Sequence, residues 1–352
     1  MGLTLVSAAL LVGGQVQIAR YVPPRGYVCY RAEEELGIDG LLDEPAWRAV
    51  PWTEDFVDIE GGVKPAPRLR TRAKMLWDDT YLYVGAELEE PRIWATLTEH
   101  DSVIFQDPDF EIFIDADGDN HEYYEIEINA FGTEWDLRLP KPYRDGGPAL
   151  NEWEIPGLRV ATHVDGTIND PSDTDRGWTA EIAFPWDALA EFAGRPCPPR
   201  PGDQWRIDFS RVEWDVTIED GRYVKVPGKP EDNWVWSPQG VIDMHRPETW
   251  GYVQFSDAPP GTEEFRPDPA GPARWLLCQA YYAQRRFQAE QSAWADSFEA
   301  LGLLELIDDS LARPVALRST RDGWRATATL RHDLPAPRRW HIRQDSRMWA
   351  ER

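Results

Sequence analysis

Acidic and amide side chains occupy every second position in two neighbouring segments of the chain. They are Glu111 in DFEIFID and Glu125, Glu127 and Asn129 in YYEIEIN. Successive side chains of a β-strand point to opposite faces of a sheet, so these four share one face when the segments pair. Like charges that face each other across two strands destabilise a sheet. We therefore expect a partner between them, which would be a cation, an arginine or a hydroxyl-rich ligand.

Three interpretations of this polar face stay open at the level of sequence. The solvated face of a half-buried antiparallel sheet has a similar pattern. A sugar-binding face would use the carboxylates and the amide to hold hydroxyl groups, with the rings of Phe113 and Tyr123 beside them. A glycoside-cleaving enzyme would need two carboxylates about 5 to 9.5 Å apart. The candidates for that catalytic role are Glu111, Glu127 and Glu213.

The turn between the two segments reads DADGDN and has carboxylates at alternate positions. Asp115, Asp117 and Asp119 would supply three hard oxygen ligands within one turn, which suits Ca²⁺. The turn lacks the later glutamate of an EF-hand loop, and a solvated acidic turn would have the same sequence. A structural calcium ion at these three residues is therefore an expectation.

Composition limits the classes of partner. The chain has 352 residues, of which 62 are acidic and 37 basic, and its formal net charge is -25. Nucleic acid and anionic membranes select basic surfaces, so we expect neither nucleic-acid binding nor membrane insertion. The three cysteines, Cys29, Cys197 and Cys278, form neither a disulfide framework nor a metal motif. Nothing in the sequence indicates an oligomeric state.

The N-terminal residues 1–30 contain an apolar run from Leu3 to Val12 that resembles the central part of a secretory signal. No lysine or arginine precedes this run, which a complete signal would have. We expect a secreted or periplasmic protein, with the cytoplasm as the alternative.

Many short apolar and alternating segments, separated by turn residues, indicate a mainly β protein with an antiparallel β-sandwich. Residues 257–272 are rich in proline, glycine and charge and are predicted to link this sandwich, residues 31–256, to a C-terminal extension, residues 273–352. The extension should contain a helix over 273–304 and a short hairpin of 324–330 with 340–343. Besides the two acidic segments, the predicted strands of the sandwich are Thr71–Trp77, Tyr81–Leu88, Trp153–Val164, Trp178–Phe184, Trp205–Phe209, Tyr223–Val226 and Tyr252–Phe255.

Seven stretches occur together in a familiar order: IDGLLDEPAW, WDDTYLYVGAEL, DFEIFIDADGD, YYEIEINAFGTEWD, GWTAEIAFPWDAL, GDQWRIDFSR and WSPQG followed by HRPETWG. From about Ala32 to Phe255 the chain resembles the carbohydrate-binding module family 9-like proteins. The resemblance implies a DOMON-like β-sandwich that carries structural calcium. It also implies a site that holds a sugar ring between two tryptophans, with carboxylate, arginine and amide groups around it.

Position by position, the family's carboxylate falls on Glu111, and its arginine and asparagine fall on Glu127 and Asn129. The first clamping tryptophan is replaced by Phe105, and the second falls near Met244. The resemblance therefore implies the fold more directly than the ligand. The residues expected to line the site are Phe105, Trp135, Trp236 and His245.

We therefore predict a protein that binds a sugar or oligosaccharide, such as a fragment of a plant polysaccharide, on the polar face of the sandwich. The alternative is a glycoside hydrolase that uses the carboxylates of the same face. Some DOMON-like proteins bind haem through methionine and histidine, and Met244 and His245 are adjacent here. Adjacent residues on a strand point in opposite directions, which disfavours haem.

Overall fold

The computed structural model describes residues 20–331 and 337–351. By its internal contacts the chain divides into two units. The first, here called the β-unit, comprises Pro24–Asp117 and Glu122–Phe265. The second, here called the C-terminal unit, comprises Arg266–Arg352 with the short piece Gly118–His121 and the residues before Pro24.

The β-unit consists of strands joined by turns, with two short helices, α1 (Pro45–Ala49) and α2 (Trp186–Leu189). Its strands are β1 (Gly26–Arg31), β2 (Val57–Asp58), β3 (Thr71–Trp77), β4 (Tyr81–Glu89), β5 (Asp109–Asp115), β6 (Tyr123–Asn129), β7 (Glu134–Leu139), β8 (Arg159–Asp165), β9 (Gly177–Pro185), β10 (Gln204–Glu213), β11 (Val216–Glu219), β12 (Arg222–Lys225), β13 (Asp232–Val235) and β14 (Gly251–Ser256).

The main sheet of the β-unit has the strand order β7-β6-β5-β10-β14-β1-β3-β4-β9-β8, with β13 paired to β10 and β2 paired to β13. Side chains from both halves of this order, such as Ile112 of β5 and Val84 of β4, belong to one apolar core. The predicted β-sandwich is therefore confirmed. It is not purely antiparallel, because β1 runs parallel to both β14 and β3.

Strands β5 and β6 follow the alternation seen in the sequence. Phe110, Ile112 and Ile114 of β5 lie in the apolar core together with Ile126 and Ile128 of β6. The opposite faces of both strands are also buried along their whole length. The interpretation of this polar face as a solvated surface is therefore wrong, because loops and neighbouring strands cover it.

Some predicted elements differ from the observed ones. The strand predicted from Trp153 begins only at Arg159, because residues 151–158 form turns and irregular chain. The segment near Tyr223 pairs with β11 in a separate two-stranded ribbon. The β-unit begins at Pro24 and ends at Phe265, whose ring occupies the space beside Gly26 in β1.

The C-terminal unit contains helix α3 (Gly271–Gln291) and a four-stranded sheet in the order β15-β16-β17-β18. The helix ends earlier than predicted, because Ser292 has a left-handed backbone conformation. The sheet extends the predicted hairpin by two strands and packs with α3 around one apolar core. Its strands are β15 (Leu311–Thr320), β16 (Gly323–Leu330), β17 (Arg339–Arg343) and β18 (Met348–Glu351).

The predicted signal-like run from Leu3 to Val12 lies outside the described residues. Among the residues that the structure describes, no helix is long and apolar enough to cross a membrane. All three cysteines are free thiols.

Candidate functional site

The candidate site is a row of side chains that crosses four strands of the β-unit. Glu111 of β5 lies opposite Glu127 of β6 on one side and Ser210 of β10 on the other. Glu127 in turn lies opposite Trp135 of β7. Asp109 is next to Glu111 on the same face of β5, because side chains two residues apart share a face. Oxygen atoms of Asp109, Glu111 and Glu127 all lie within 4.8 Å of one another.

We call Asp109, Glu111, Glu125 and Glu127 the acidic face. Their side chains are between 0% and 6% exposed. Burial raises the pKa of Glu111 to about 7. Burial, followed by the charge of Glu111, holds the pKa values of the other three carboxyls well above their ordinary range. The charge of Glu111 therefore stabilises the protonated forms of Asp109, Glu125 and Glu127.

The acidic face has no salt bridge in the part of the chain that the structure describes. Its hydrogen bonds come from neutral groups: Ser210 donates to Glu111, and the backbone N–H of Val212 donates to Asp109 Oδ1 at 2.9 Å. Asp109 Oδ2 and Glu125 Oε2 are buried and have no hydrogen-bond partner. Buried polar atoms are nearly always satisfied in folded proteins, so a proton, a water molecule, an ion or a ligand at either oxygen would be stabilising.

The first edge of the acidic face is the segment before β5. The backbone N–H of Phe105 donates to Glu127 Oε2 at 2.8 Å, and its carbonyl accepts from Trp214 Nε1 at 2.9 Å. The ammonium group of Lys225 lies 3.4 Å from the ring centroid of Trp214. Desolvation lowers the pKa of Lys225, and the charges of Asp107, Glu231 and Asp109 oppose that shift. The ammonium group of Lys225 is therefore influenced by the charge of Asp109, but it packs on the indole ring of Trp214.

The second edge is aromatic. The rings of Tyr143 and His245 lie 4.4 Å apart between centroids, and the Tyr123 hydroxyl is 3.0 Å from His245 Nδ1. Burial raises the pKa of Tyr143 to about 12, with the charges of Glu125 and Glu127 as further causes. Because Tyr143 is 46% exposed, its ring stands where the acidic face meets solvent.

Trp135 and Phe105, two of the residues expected to line the site, both lie beside Glu127. Trp135 is half-buried next to Glu127, and its indole Nε1 has no hydrogen-bond partner. Phe105 is also half-buried, and its backbone rather than its ring binds Glu127. His245 lies at the second, aromatic edge, in the segment before β14.

Asn129 has a different role from the one expected. Its amide Nδ2 donates to the carbonyl of Leu97 at 2.8 Å and to Asp107 Oδ2 at 3.1 Å. Its Oδ1 accepts from the backbone N–H groups of Phe131 and Thr133. The side chain is fully buried and holds these loops together, so it does not present an amide to a ligand.

Trp236 lies in the apolar core instead of lining the polar face. It is fully buried, its ring centroid is 5.8 Å from that of Phe209, and its ring fills the space beside Gly251. Trp234 and Trp236 of NWVWSPQG both lie in this core, because side chains two residues apart on an extended segment share a face and that face points inward.

Glu213 is bound in an ion cluster. Arg211 Nη2 lies 2.6 Å from Glu213 Oε2 and 2.8 Å from Glu90 Oε2. Burial raises the pKa of Glu90 to about 9, and the charge of Glu213 is the next cause. The Glu213 carboxylate is therefore already engaged by a guanidinium, which argues against its expected role as a catalytic acid or base.

The expected calcium ligands Asp115, Asp117 and Asp119 do not all belong to the same unit. Asp115 ends β5 in the β-unit, while Asp119 belongs to the short piece counted with the C-terminal unit. There Asp119 accepts from the backbone N–H of His121 and pairs with Arg347 Nε at 2.9 Å. A guanidinium on one ligand competes with a cation. Calcium at Asp115, Asp117 and Asp119 stays a prediction.

Asp109 and Tyr143 were not among the residues expected to bind the ligand, and Glu125 was expected only as a member of the polar face. The alternation in β5 and β6 places the two carboxylates on the polar face, so that signal was present in the sequence. Tyr143 lies in a turn within LPKPYRDGGPAL. No periodic pattern there links it to strands β5 and β6.

The fold and the site together define a β-sandwich with a buried acidic face and an aromatic edge. Comparison with known proteins matches residues 38–198 to the family described as "Carbohydrate family 9 binding domain-like". Residues 38–198 are therefore similar to this family, in agreement with the seven sequence stretches.

Two curated relatives are enzymes by name. The chain is 26% identical over 157 residues to Exoglucanase XynX of Acetivibrio thermocellus, covering 45% of this chain and 12% of that protein. It is 26% identical over 121 residues to Endo-1,4-beta-xylanase A of Thermoanaerobacterium saccharolyticum, covering 34% of this chain and 9% of that protein. The chain thus matches only a small part of the length of either relative.

Solved structures with a similar arrangement were also found. One is a carbohydrate-binding protein, described as putative, from Bacteroides uniformis, with a TM-score of 0.49 and 13% identity over 66% of this chain and 100% of that one. Another is a family 9 carbohydrate-binding module from Caldicellulosiruptor kristjanssonii in complex with cellotriose, with a TM-score of 0.40 and 16% identity over 68% of this chain and 100% of that one.

Proposed function

We propose that the β-unit binds carbohydrate on the acidic face. In this proposal Glu111, Glu125 and Glu127 accept hydrogen bonds from sugar hydroxyls, and Trp135 and Tyr143 contact the ring. The observation that carries the proposal is the pair of unpartnered groups on this face, the acceptor Glu125 Oε2 and the donor Trp135 Nε1. A hydroxyl group both donates and accepts, so one class of ligand satisfies both.

The charge of the face supports a neutral, hydroxyl-rich ligand. Phosphate or carboxylate groups would be repelled by the four carboxylates of the acidic face, three of which lie within 4.8 Å of one another. Aromatic rings beside hydrogen-bonding groups suit the C–H faces and hydroxyls of a sugar. The family match of residues 38–198 is consistent with this ligand class.

The names of the curated relatives suggest which sugars to try first. Fragments of glucan and xylan are the natural choices, since those relatives are called an exoglucanase and a xylanase. A secreted or periplasmic location, expected from the sequence, would give the protein access to such polysaccharide fragments.

A glycosidase would need one carboxyl protonated and the other ionised. On this face burial raises the pKa of Glu111 and Glu127 together, and Glu213 is held by Arg211. No observation separates an acid from a base, so binding is the function that the site supports better.

The test is calorimetric titration of the purified chain with cello- and xylo-oligosaccharides, with product analysis of the same mixtures. We expect binding without new reducing ends. Glu125→Gln replaces the unpartnered acceptor with a donor and should weaken binding at least tenfold. Glu152→Gln, an exposed glutamate outside this face, is the matched control. Equal binding by both variants would refute the proposed site.

A further inference from the structure

The carboxylates of Asp109, Glu111 and Glu127 form a compact set of oxygen ligands inside the β-unit. Their oxygens lie within 4.8 Å of one another, and all three residues are almost fully buried. Calcium binds oxygens at about 2.3 to 2.6 Å, so two ligands of one ion are at most about 5 Å apart. The spacing therefore fits the ligands of a single ion.

The set also has open coordinating capacity. Asp109 Oδ2 is buried without any hydrogen-bond partner, while its Oδ1 is held by Val212. Glu127 uses Oε2 to accept from Phe105, which leaves its other oxygen for an ion. A fully buried carboxylate oxygen with no donor is costly, and a bound cation removes that cost.

No basic side chain supplies the missing positive charge. Among the described residues, none of the three carboxylates takes part in an ion pair, and Arg211 is already shared by Glu90 and Glu213. The ammonium group of Lys225 lies 3.4 Å from the ring centroid of Trp214.

We propose that Asp109, Glu111 and Glu127 bind one hard divalent cation of the calcium class. An all-oxygen set of carboxylates selects such ions over softer ones that prefer nitrogen or sulfur. Three protein ligands leave coordination positions open, and these face the same side of the sheet as Glu125. The cation offers those positions to sugar hydroxyls, a step that rests on the proposed function.

The test is titration of chelator-stripped protein with CaCl₂ alone, followed by calorimetry, and with TbCl₃ alone, followed by luminescence excited through tryptophan. Trp135 lies beside Glu127, close enough to sensitise a bound terbium ion. We expect a saturable site that Asp109→Asn weakens at least tenfold. This variant keeps the acceptor for Val212 and removes one charge, so it preserves the fold. Glu127→Gln, which keeps the acceptor for Phe105, should have the same effect.

Two control variants assign the signal to this site. Glu154 lies in a separate exposed cluster with His100 and Asp101, and the Glu154→Gln variant should leave the titration unchanged. Asp117→Asn should remove at most a second ion, the one predicted for the acidic turn. The inference is overturned when stripped protein shows no saturable site, or when Asp109→Asn binds as tightly as wild type.

The sugar panel separates this inference from the proposed function. Cation binding that is lost in Asp109→Asn supports the inference even when no oligosaccharide binds, and only the proposed function then fails. Oligosaccharide binding by a protein without a cation site refutes the inference and leaves carbohydrate binding in place.

Discussion

Glu111 and Glu127 are direct cross-strand partners in the β5–β6 ladder, and neither carboxylate forms an ion pair with a residue that the structure describes. In most sheets an acidic residue in this position faces a basic or neutral one, because two like charges opposite each other are unfavourable. Burial makes the repulsion stronger, since the interior screens charges less than water does. The pair therefore destabilises the fold unless a proton, a cation or a ligand lies between the two carboxylates.

The first prediction follows from this repulsion. Glu127→Gln removes one of the two opposed charges and still accepts a hydrogen bond from Phe105. In chelator-treated protein at pH 8 we expect the variant to be more stable than wild type by about 1 to 2 kcal/mol. Urea denaturation at that pH measures the difference. A variant less stable than wild type would show that the two carboxylates are not repelling each other.

The second prediction concerns the indole of Trp135. Trp135→Phe keeps an aromatic ring and removes Nε1–H, which has no partner in the protein. We expect oligosaccharide affinity to fall about five- to tenfold, the worth of one hydrogen bond of about 1 kcal/mol. Calorimetry with the best oligosaccharide of the panel measures it. Trp52→Phe, at a half-buried tryptophan covered by Arg72 and Lys74, should bind normally.

The faces of β5 and β6 could be predicted from sequence, because a period of two fixes which side chains share a face. The apolar residues of the hairpin then had to face a core, as they do. The resemblance of the seven stretches to a known family predicted that the fold is a β-sandwich. These local signals identified Glu111 and Glu127 before the structure was known.

The environment of those residues could not be predicted, because it depends on contacts between distant segments. Ser210 and Trp135 join the row only through the register of β10 and β7. Asn129 lies on the polar face, as the alternation predicted. Its side chain is nevertheless hydrogen-bonded to the carbonyl of Leu97 and the backbone N–H of Phe131, and the alternation does not specify these loop groups. Trp236 satisfied the alternation rule equally well as a core residue.

The third prediction concerns the ion cluster that fixes Glu213. Arg211 is fully buried, and its guanidinium binds Glu90 and Glu213 at once. Arg211→Met leaves the buried Glu90 without its guanidinium and leaves Glu213 with only the partly exposed Arg68 at 3.7 Å, so we expect a loss of about 3 to 5 kcal/mol at pH 7. Urea denaturation measures this loss. Arg176→Met, at an exposed arginine, should change the free energy of unfolding by less than about 0.5 kcal/mol.

The fourth prediction is a pH dependence that comes from His245. Burial lowers the pKa of this imidazole from its ordinary value of 6.5 to about 4. Between these two values the unfolded chain binds a proton that the folded protein does not, so the free energy of unfolding falls as the pH falls from 6.5 to 4. Above pH 6.5 this contribution is fully present. Its size over the whole interval is about 3 kcal/mol.

His245→Gln removes this titration and keeps an acceptor for the Tyr123 hydroxyl. The difference in unfolding free energy between variant and wild type should therefore shift in favour of the variant as the pH is lowered, and level off below pH 4. Urea denaturation at pH 7, 6, 5 and 4 measures the shift, and the acidic face contributes equally to both proteins. Parallel curves for the two proteins would mean that His245 is protonated as readily in the folded state as in the unfolded chain. The aromatic edge of the site would then be open to water rather than dry.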